Sequence, residues 1–212
     1  MRAYEKDPQA IYAKSFATVR SEARLDRFPP GLDALVIRLI HACGMVDVAD
    51  RLAFSELAFE AGAAALEAGA PVICDCEMVA AGIIRRALPA KNDVVITLND
   101  GEVPRLAQTL GTTRSAAAVE LWGDRLGGAV VAIGNAPTAL FHLLELLENG
   151  APKPAVILGF PVGFVGAAEA KAELARNSFG VDYVALQGRR GGSAMASAAV
   201  NALASGLSSG VL

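Results

Sequence analysis

The chain has 212 residues, 53% of them hydrophobic and 19% charged, and 19 Lys and Arg against 22 Asp and Glu leave a formal net charge of −3. That length suits one α/β domain, so a single domain over residues 1–212 is expected. No basic block stands out, which excludes a non-specific nucleic-acid binder.

In chain order, the opening MRAYEKDPQAIYAKSF has no apolar leader segment, so a cytoplasmic location is expected. Asp7-Pro8 is a helix start, with Asp as N-cap and Pro at the first helical position. Ile11, Ser15 and Val19, with Tyr12 and Phe16, recur at helical spacing to about residue 25. Pro29-Pro30 breaks the chain. A second helix over 32–43 puts Leu35, Val36, Leu39 and Ile40 on one side and ends at Gly44. A third, Ala-rich helix covers 55–68.

Beyond it the pattern changes to short β-branched runs at 71–74, 93–97, 129–133, 155–158 and 182–186, with helical segments between them. These runs are apolar throughout rather than alternating, as in strands covered on both faces. The expected fold is therefore α/β: a three-layer α/β/α, doubly wound parallel sheet of about five strands, with the flavodoxin-like order suggested by the strand count. Residues 191–212 carry no charge, and Ser193, Ser197, Asn201 and Ser205 form a stripe every four residues among alanines. Such a segment lacks the Leu, Ile and Phe content of a membrane span. It reads as a close-packed helix in the core or at a subunit interface, so no membrane association is expected. A mean hydropathy of +0.40 also leaves apolar surface to bury against a second copy.

Small-residue loops follow the last three strands at 134–139, 159–166 and 188–193, and Thr112-Thr113-Arg114-Ser115 opens another helix. Glycines bring backbone N–H groups close to a ligand, helix N-termini attract anions, and Arg114, Arg189 and Arg190 add forked donors. Gathered at the carboxyl edge of the sheet, these loops suit a polyanionic small molecule. There is no GxGxxG after the first strand and no GxxxxGK[ST], so no nucleotide cofactor is supported. Cys43, Cys74 and Cys76 are too few and too odd in number for a disulfide framework, and no second ligand pair completes a zinc site, so no metal is expected. No GxSxG or Cys–His pattern marks a nucleophile; Ser193 is read as a helix N-cap, and Asp47 and Asp50 as solvated loop carboxylates. His142 sits in an apolar helix and reads as a core histidine with one partner. His41 follows Arg38 by three residues on one helix face, which suits proton exchange beside an anion. Ser15 and Tyr12 share a face of the first helix that is able to meet this pair.

Several segments resemble the precorrin-8X methylmutase (precorrin isomerase) family, in order and at family-like spacing. They are Ser15-Phe16, Arg38-Leu-Ile-His41-Ala-Cys-Gly44, Thr113-Arg114-Ser115-Ala116-Ala117, Gly134-Asn-Ala-Pro-Thr-Ala-Leu140, Pro161-Val-Gly-Phe-Val-Gly-Ala167, Gly188-Arg-Arg-Gly-Gly-Ser193 and Asn201-Ala-Leu203. The resemblance implies an isomerase of cobalamin (vitamin B12) biosynthesis that moves a methyl group between adjacent ring-C carbons and turns precorrin-8X into hydrogenobyrinate without a cofactor. It implies a flavodoxin-like fold and a homodimer with the active site near the subunit interface. Carried onto this sequence, it makes His41 the catalytic acid/base and Ser15 and Arg38 substrate contacts, with Arg114 a further carboxylate partner. Ile84 and Ile96 depart from the threonine and cysteine expected there. An aliphatic group in place of a hydroxyl removes one possible ligand hydrogen bond, worth about 0.5–1.5 kcal/mol, which bears on substrate affinity or product release more than on the reaction. Two other readings share the fold: a cobalt-precorrin-8 methylmutase of the anaerobic route, and a non-catalytic corrinoid carrier. Product hand-over to the next pathway enzyme fits either kind of tight binder.

Overall fold

The computed structural model describes residues 2, 4–177 and 179–206. Helix α1 (Pro8–Glu22) begins as its sequence dictates, with the Asp7 carboxylate accepting from the Gln9 N–H at 3.0 Å and Pro8 at the first position. Only Val19 of this helix is buried, so it lies on the outside. Helix α2 (Leu32–Cys43) buries Leu32, Leu35, Val36, Ile37, Leu39 and Ile40. Gly44 ends it in the left-handed region at φ 68, its N–H closing on the Ile40 carbonyl at 2.7 Å. A 3₁₀ turn (Val46–Arg51) leads into β1 (Leu52–Phe54) and then α3 (Ala58–Glu67).

The remaining elements alternate. They run β2 (Val72–Cys74), the short α4 (Glu77–Ala81), β3 (Val94–Ile96), α5 (Val103–Leu110), α6 (Arg114–Glu120), β4 (Val130–Ile133), α7 (Pro137–Glu148), β5 (Val156–Gly159), α8 (Ala167–Leu174), β6 (Asp182–Leu186) and α9 (Ser193–Ala204). The sheet order is β1-β6-β5-β4-β2-β3. From β2 to β6 the strands are parallel, with Val72, Val130, Val156 and Asp182 in register. Counted in chain order, these five strands take the flavodoxin-like 2-1-3-4-5 order. The sheet gains a sixth strand that the sequence reading lacks. Within the segment expected to be loop, Leu52, Ala53 and Phe54 pair antiparallel with Leu186, Ala185 and Val184. Three residues carry no periodicity of their own; the open edge of β6 makes them a strand.

Every residue of β2, β4 and β5 is buried, because helices cover both faces. Val72, Val130, Val156 and Val184 point to the layer of α2, α3 and α9. Ile73, Val131, Ile157 and Ala185 point to the layer of α7 and α8, joined by Val119 of α6 and by Trp122. Fully buried Phe59 and Phe160 fill the first layer and Trp122 the second; each large side chain contributes about 2–3 kcal/mol by leaving water.

The uncharged α9 is a core helix. Asn201 accepts from the Ile84 N–H at 2.8 Å and donates to the Gly82 carbonyl at 2.9 Å, and Ser197 packs on Gly82, where a Cβ would lie 2.3 Å from its Oγ. Ser197 and Asn201 of the polar stripe therefore serve the 82–84 turn, and Ile84 contributes there through its backbone. Ser193 is the first helical residue rather than the N-cap, and its Oγ lies 3.6 Å from the Cys76 Sγ. Residues 207–212 of the expected final helix lie outside the described residues. No helix among the described residues is long and apolar enough to cross a membrane.

Candidate active site

Switch-point crevices in doubly wound sheets bind anions because loop N–H groups converge there. Here that crevice lies between the carboxyl ends of β2 and β4, and the protein fills it with its own carboxylate. Asp75, directly after β2, is 4% exposed. Its oxygens accept the N–H groups of Gly134, Asn135 and Ala136 at 3.0, 2.9 and 2.8 Å. Burial pushes its pKa up, and the three N–H donors pull against that shift. The 134–139 loop is thus an anion site already satisfied internally.

The other loops are also committed. Arg190 pairs with Asp47 through contacts of 3.0 and 2.5 Å, and Asp50 accepts from Arg24 at 2.6 Å; both carboxylates are exposed, as expected, and each also carries an ion pair. Gly191 is required by close packing, since a Cβ there would lie 2.2 Å from the Phe160 carbonyl oxygen. Arg189 rests over the ring of Phe164 at 5.4 Å. Lys171, fully buried, donates to the carbonyls of Pro161 and Arg190 at 2.9 and 2.6 Å.

Burial lowers the Lys171 pKa from 10.5 to about 8. Between those values the unfolded chain holds the proton that the folded chain has lost, so the Lys171 contribution makes stability rise as pH climbs from about 8 to 10.5. Urea unfolding near pH 7 and near pH 10 checks this. Wild type should gain on Lys171→Met at the higher pH, and an equal difference at both contradicts it.

The cleft that holds His41 sits elsewhere, between α1 and α2. It encloses about 490 Å³ and is lined by Glu5, Ile11, Lys14, Ser15, Thr18, Val19, Glu22, Ile40, His41, Gly44 and Val46. Ser15 Oγ lies 2.8 Å from His41 Nδ1. The His41 ring stacks against Tyr12 at 5.1 Å with a 33° tilt and meets the edge of Phe16 at 5.4 Å. Arg38 lies 5.9 Å from the Phe16 ring, and its guanidinium donates to Ser205 Oγ at 3.3 Å. Half-burial lowers the Arg38 pKa, which leaves an always-charged group in partly desolvated surroundings, where it attracts an anion more strongly than in water.

Ser15, Arg38 and His41 are thus brought together. Arg114 is not part of this group. It opens α6 in the opposite helical layer and donates to the Leu98 carbonyl and Asn99 Oδ1 at 3.2 and 3.3 Å. His142 is half-buried, 2.7 Å from Glu120 and 3.3 Å from Glu145, tying α6 to α7. Tyr12 meets His41 as its shared helix face with Ser15 allows; the sequence reading missed Gly44 and Val46 as cleft wall and Phe16 as a second aromatic support of His41. The position of Phe16, four residues after Tyr12 on α1, held the available signal for it. The cleft also carries the carboxylates of Glu5 and Glu22; Glu5 is occupied by the N–H groups of Asp7 and Lys6, which lower its pKa.

Chemically, this arrangement places one imidazole, fixed by a hydroxyl and two aromatic rings, beside a guanidinium. Among the described residues no group bonds its Nε2, so that atom is left for a ligand. With Nδ1 accepting from the Ser15 hydroxyl, the imidazole carries its proton on Nε2.

The sequence model of the family described as precorrin-8X methylmutase matches residues 10–206. A Pseudomonas aeruginosa protein named precorrin-8X methylmutase is 64% identical over 201 residues, covering 95% of this chain and 97% of that protein. A protein of the same name from a Sinorhizobium species is 57% identical over 201 residues, covering 95% and 96%. Among solved structures, a precorrin-8X methylmutase from Thermus thermophilus superposes with a TM-score of 0.83 at 40% identity, covering 92% of this chain and 94% of that one.

Proposed function

Because this chain belongs to the precorrin-8X methylmutase family, we propose that it moves a methyl group between adjacent ring-C carbons of metal-free precorrin-8X, giving hydrogenobyrinate, with His41 as the acid–base group. It is an isomerase of cobalamin biosynthesis. The observation that carries the assignment to His41 is the 2.8 Å contact between Ser15 Oγ and Nδ1. The Ser15 hydroxyl donates to Nδ1 and keeps the proton on Nε2, which donates to the macrocycle as the methyl group migrates. An isomerisation has no net proton change, so the proton returns to Nε2 and the imidazole ends each turnover as it began. Arg38 pairs with a carboxylate of the macrocycle, and Arg114 serves a second, more distant acid side chain.

The chain acts as one domain over residues 1–212, in the cytoplasm and as a homodimer. Phe164 and Val165, 85% and 87% exposed, supply apolar surface for the second copy. Hydrogenobyrinate stays bound until the following pathway enzyme takes it.

Visible absorbance of the purified protein mixed with precorrin-8X tests the reaction, since substrate and product differ in conjugation. Conversion faster than that of cobalt-precorrin-8 supports the reading; a preference for the cobalt form overturns the substrate assignment, and binding without conversion of either overturns the enzyme assignment in favour of a carrier. Arg38→Ala should weaken binding of precorrin-8X by about 10- to 100-fold, the loss of one charge-assisted contact of roughly 1.5–3 kcal/mol. An unchanged titration removes Arg38 from the site.

A further inference from the structure

Lys171 is fully buried in α8, and among the described residues no carboxylate pairs with it. Its ammonium bridges two main-chain carbonyls, Pro161 after β5 and Arg190 after β6. The same two loops are laced by Gly163 N–H to the Arg189 carbonyl at 3.1 Å and by Gly192 N–H to the Phe160 carbonyl at 2.8 Å. From this rigid unit the Arg190 side chain reaches away to Asp47 and to Met45 Sδ, the latter at 3.3 Å. Met45 and Asp47 alternate with Gly44 and Val46, and those two residues line the cleft with His41. One linkage therefore runs from Lys171 through Arg190 to the wall that ends α2.

A buried ammonium without a carboxylate is a costly way to fill space. An apolar side chain of similar length fills it without that penalty. What an apolar side chain lacks is several N–H donors able to hold two carbonyls at once. We propose that Lys171 is a positioning residue: through Arg190 it fixes the 44–47 segment and so the place of His41 in the cleft, a role that rests on the acid–base reading of His41.

Lys171→Met should lower kcat by about 10-fold with KM within about twofold, because Ser15 and Arg38 keep their own contacts. Arg190→Met, a change of a half-buried side chain, should do the same and stands in if Lys171→Met does not fold. The double variant should lose no more than the worse single variant, since both act through one linkage. A second readout needs no substrate. The chain has two histidines, His41 and His142, so its imidazole proton spectrum holds two ring sets, assigned with His142→Gln. Both single variants should shift the His41 set and leave the His142 set in place. Losses that multiply in the double variant, or a His41 set that stays put in both single variants, overturn the proposal. If the wild type does not convert precorrin-8X while the His41 set still shifts, the functional reading fails and the linkage stands.

Discussion

His41→Ala should abolish conversion of precorrin-8X while leaving the fold and the binding of a corrin intact. Positioned acid–base groups contribute about 10²–10⁴-fold to rate, so the expected loss is of that size. The fold should survive because His41 is exposed and its neighbours lose little: Ser15 is half-buried and within reach of water, and Tyr12 and Phe16 still meet edge to face at 5.9 Å. Binding should survive because half-buried Arg38 keeps its place on α2 and its contact with Ser205. Stopped-flow visible spectra under single-turnover conditions, with circular dichroism of the variant, give all three quantities. Wild-type turnover by His41→Ala removes the imidazole from the mechanism. Ser15→Ala should fall between the two, since Nδ1 then takes water as partner and the proton is no longer held on Nε2.

The largest loss of stability is expected from Asp75→Ala. The substitution strands three main-chain N–H groups at the start of α7, two of them buried, and removes the anion that faces the helix N-terminus. The cost should be on the order of 4 kcal/mol, or a fall of about 10 °C in Tm for a chain of this size. Asp75→Asn keeps acceptor oxygen but turns an NH₂ toward an N–H donor, so it should lose a smaller amount. Calorimetry measures both. The kcat of the folded fraction should stay at the wild-type level, because the crevice between β2 and β4 is filled by protein and does not take substrate. A stable Asp75→Ala protein with lost activity would mean the opposite: that substrate reaches the crevice and Asp75 serves it.

The sequence by itself determined the parallel sheet. Runs such as 129–133 and 155–158 are apolar at every position, and only a strand covered on both faces uses such a run, so five strands, two helical layers and the helix starts at Asp7-Pro8 and end at Gly44 were legible. The pairing of His41 with Arg38 was legible too, because three residues along a helix is a fixed geometric relation. The tertiary structure decided what depends on partners far along the chain. Leu52–Phe54 became a strand because β6 offered an edge. Asp75 took the anion crevice 59 to 61 residues away, and Arg190 was claimed by Asp47. Arg114, alike on paper to Arg38, went to the other layer. Local spacing fixes which side chains share a face, but whether a loop N–H or a guanidinium is free for a ligand depends on which internal group reaches it first, and that is settled only when the layers pack.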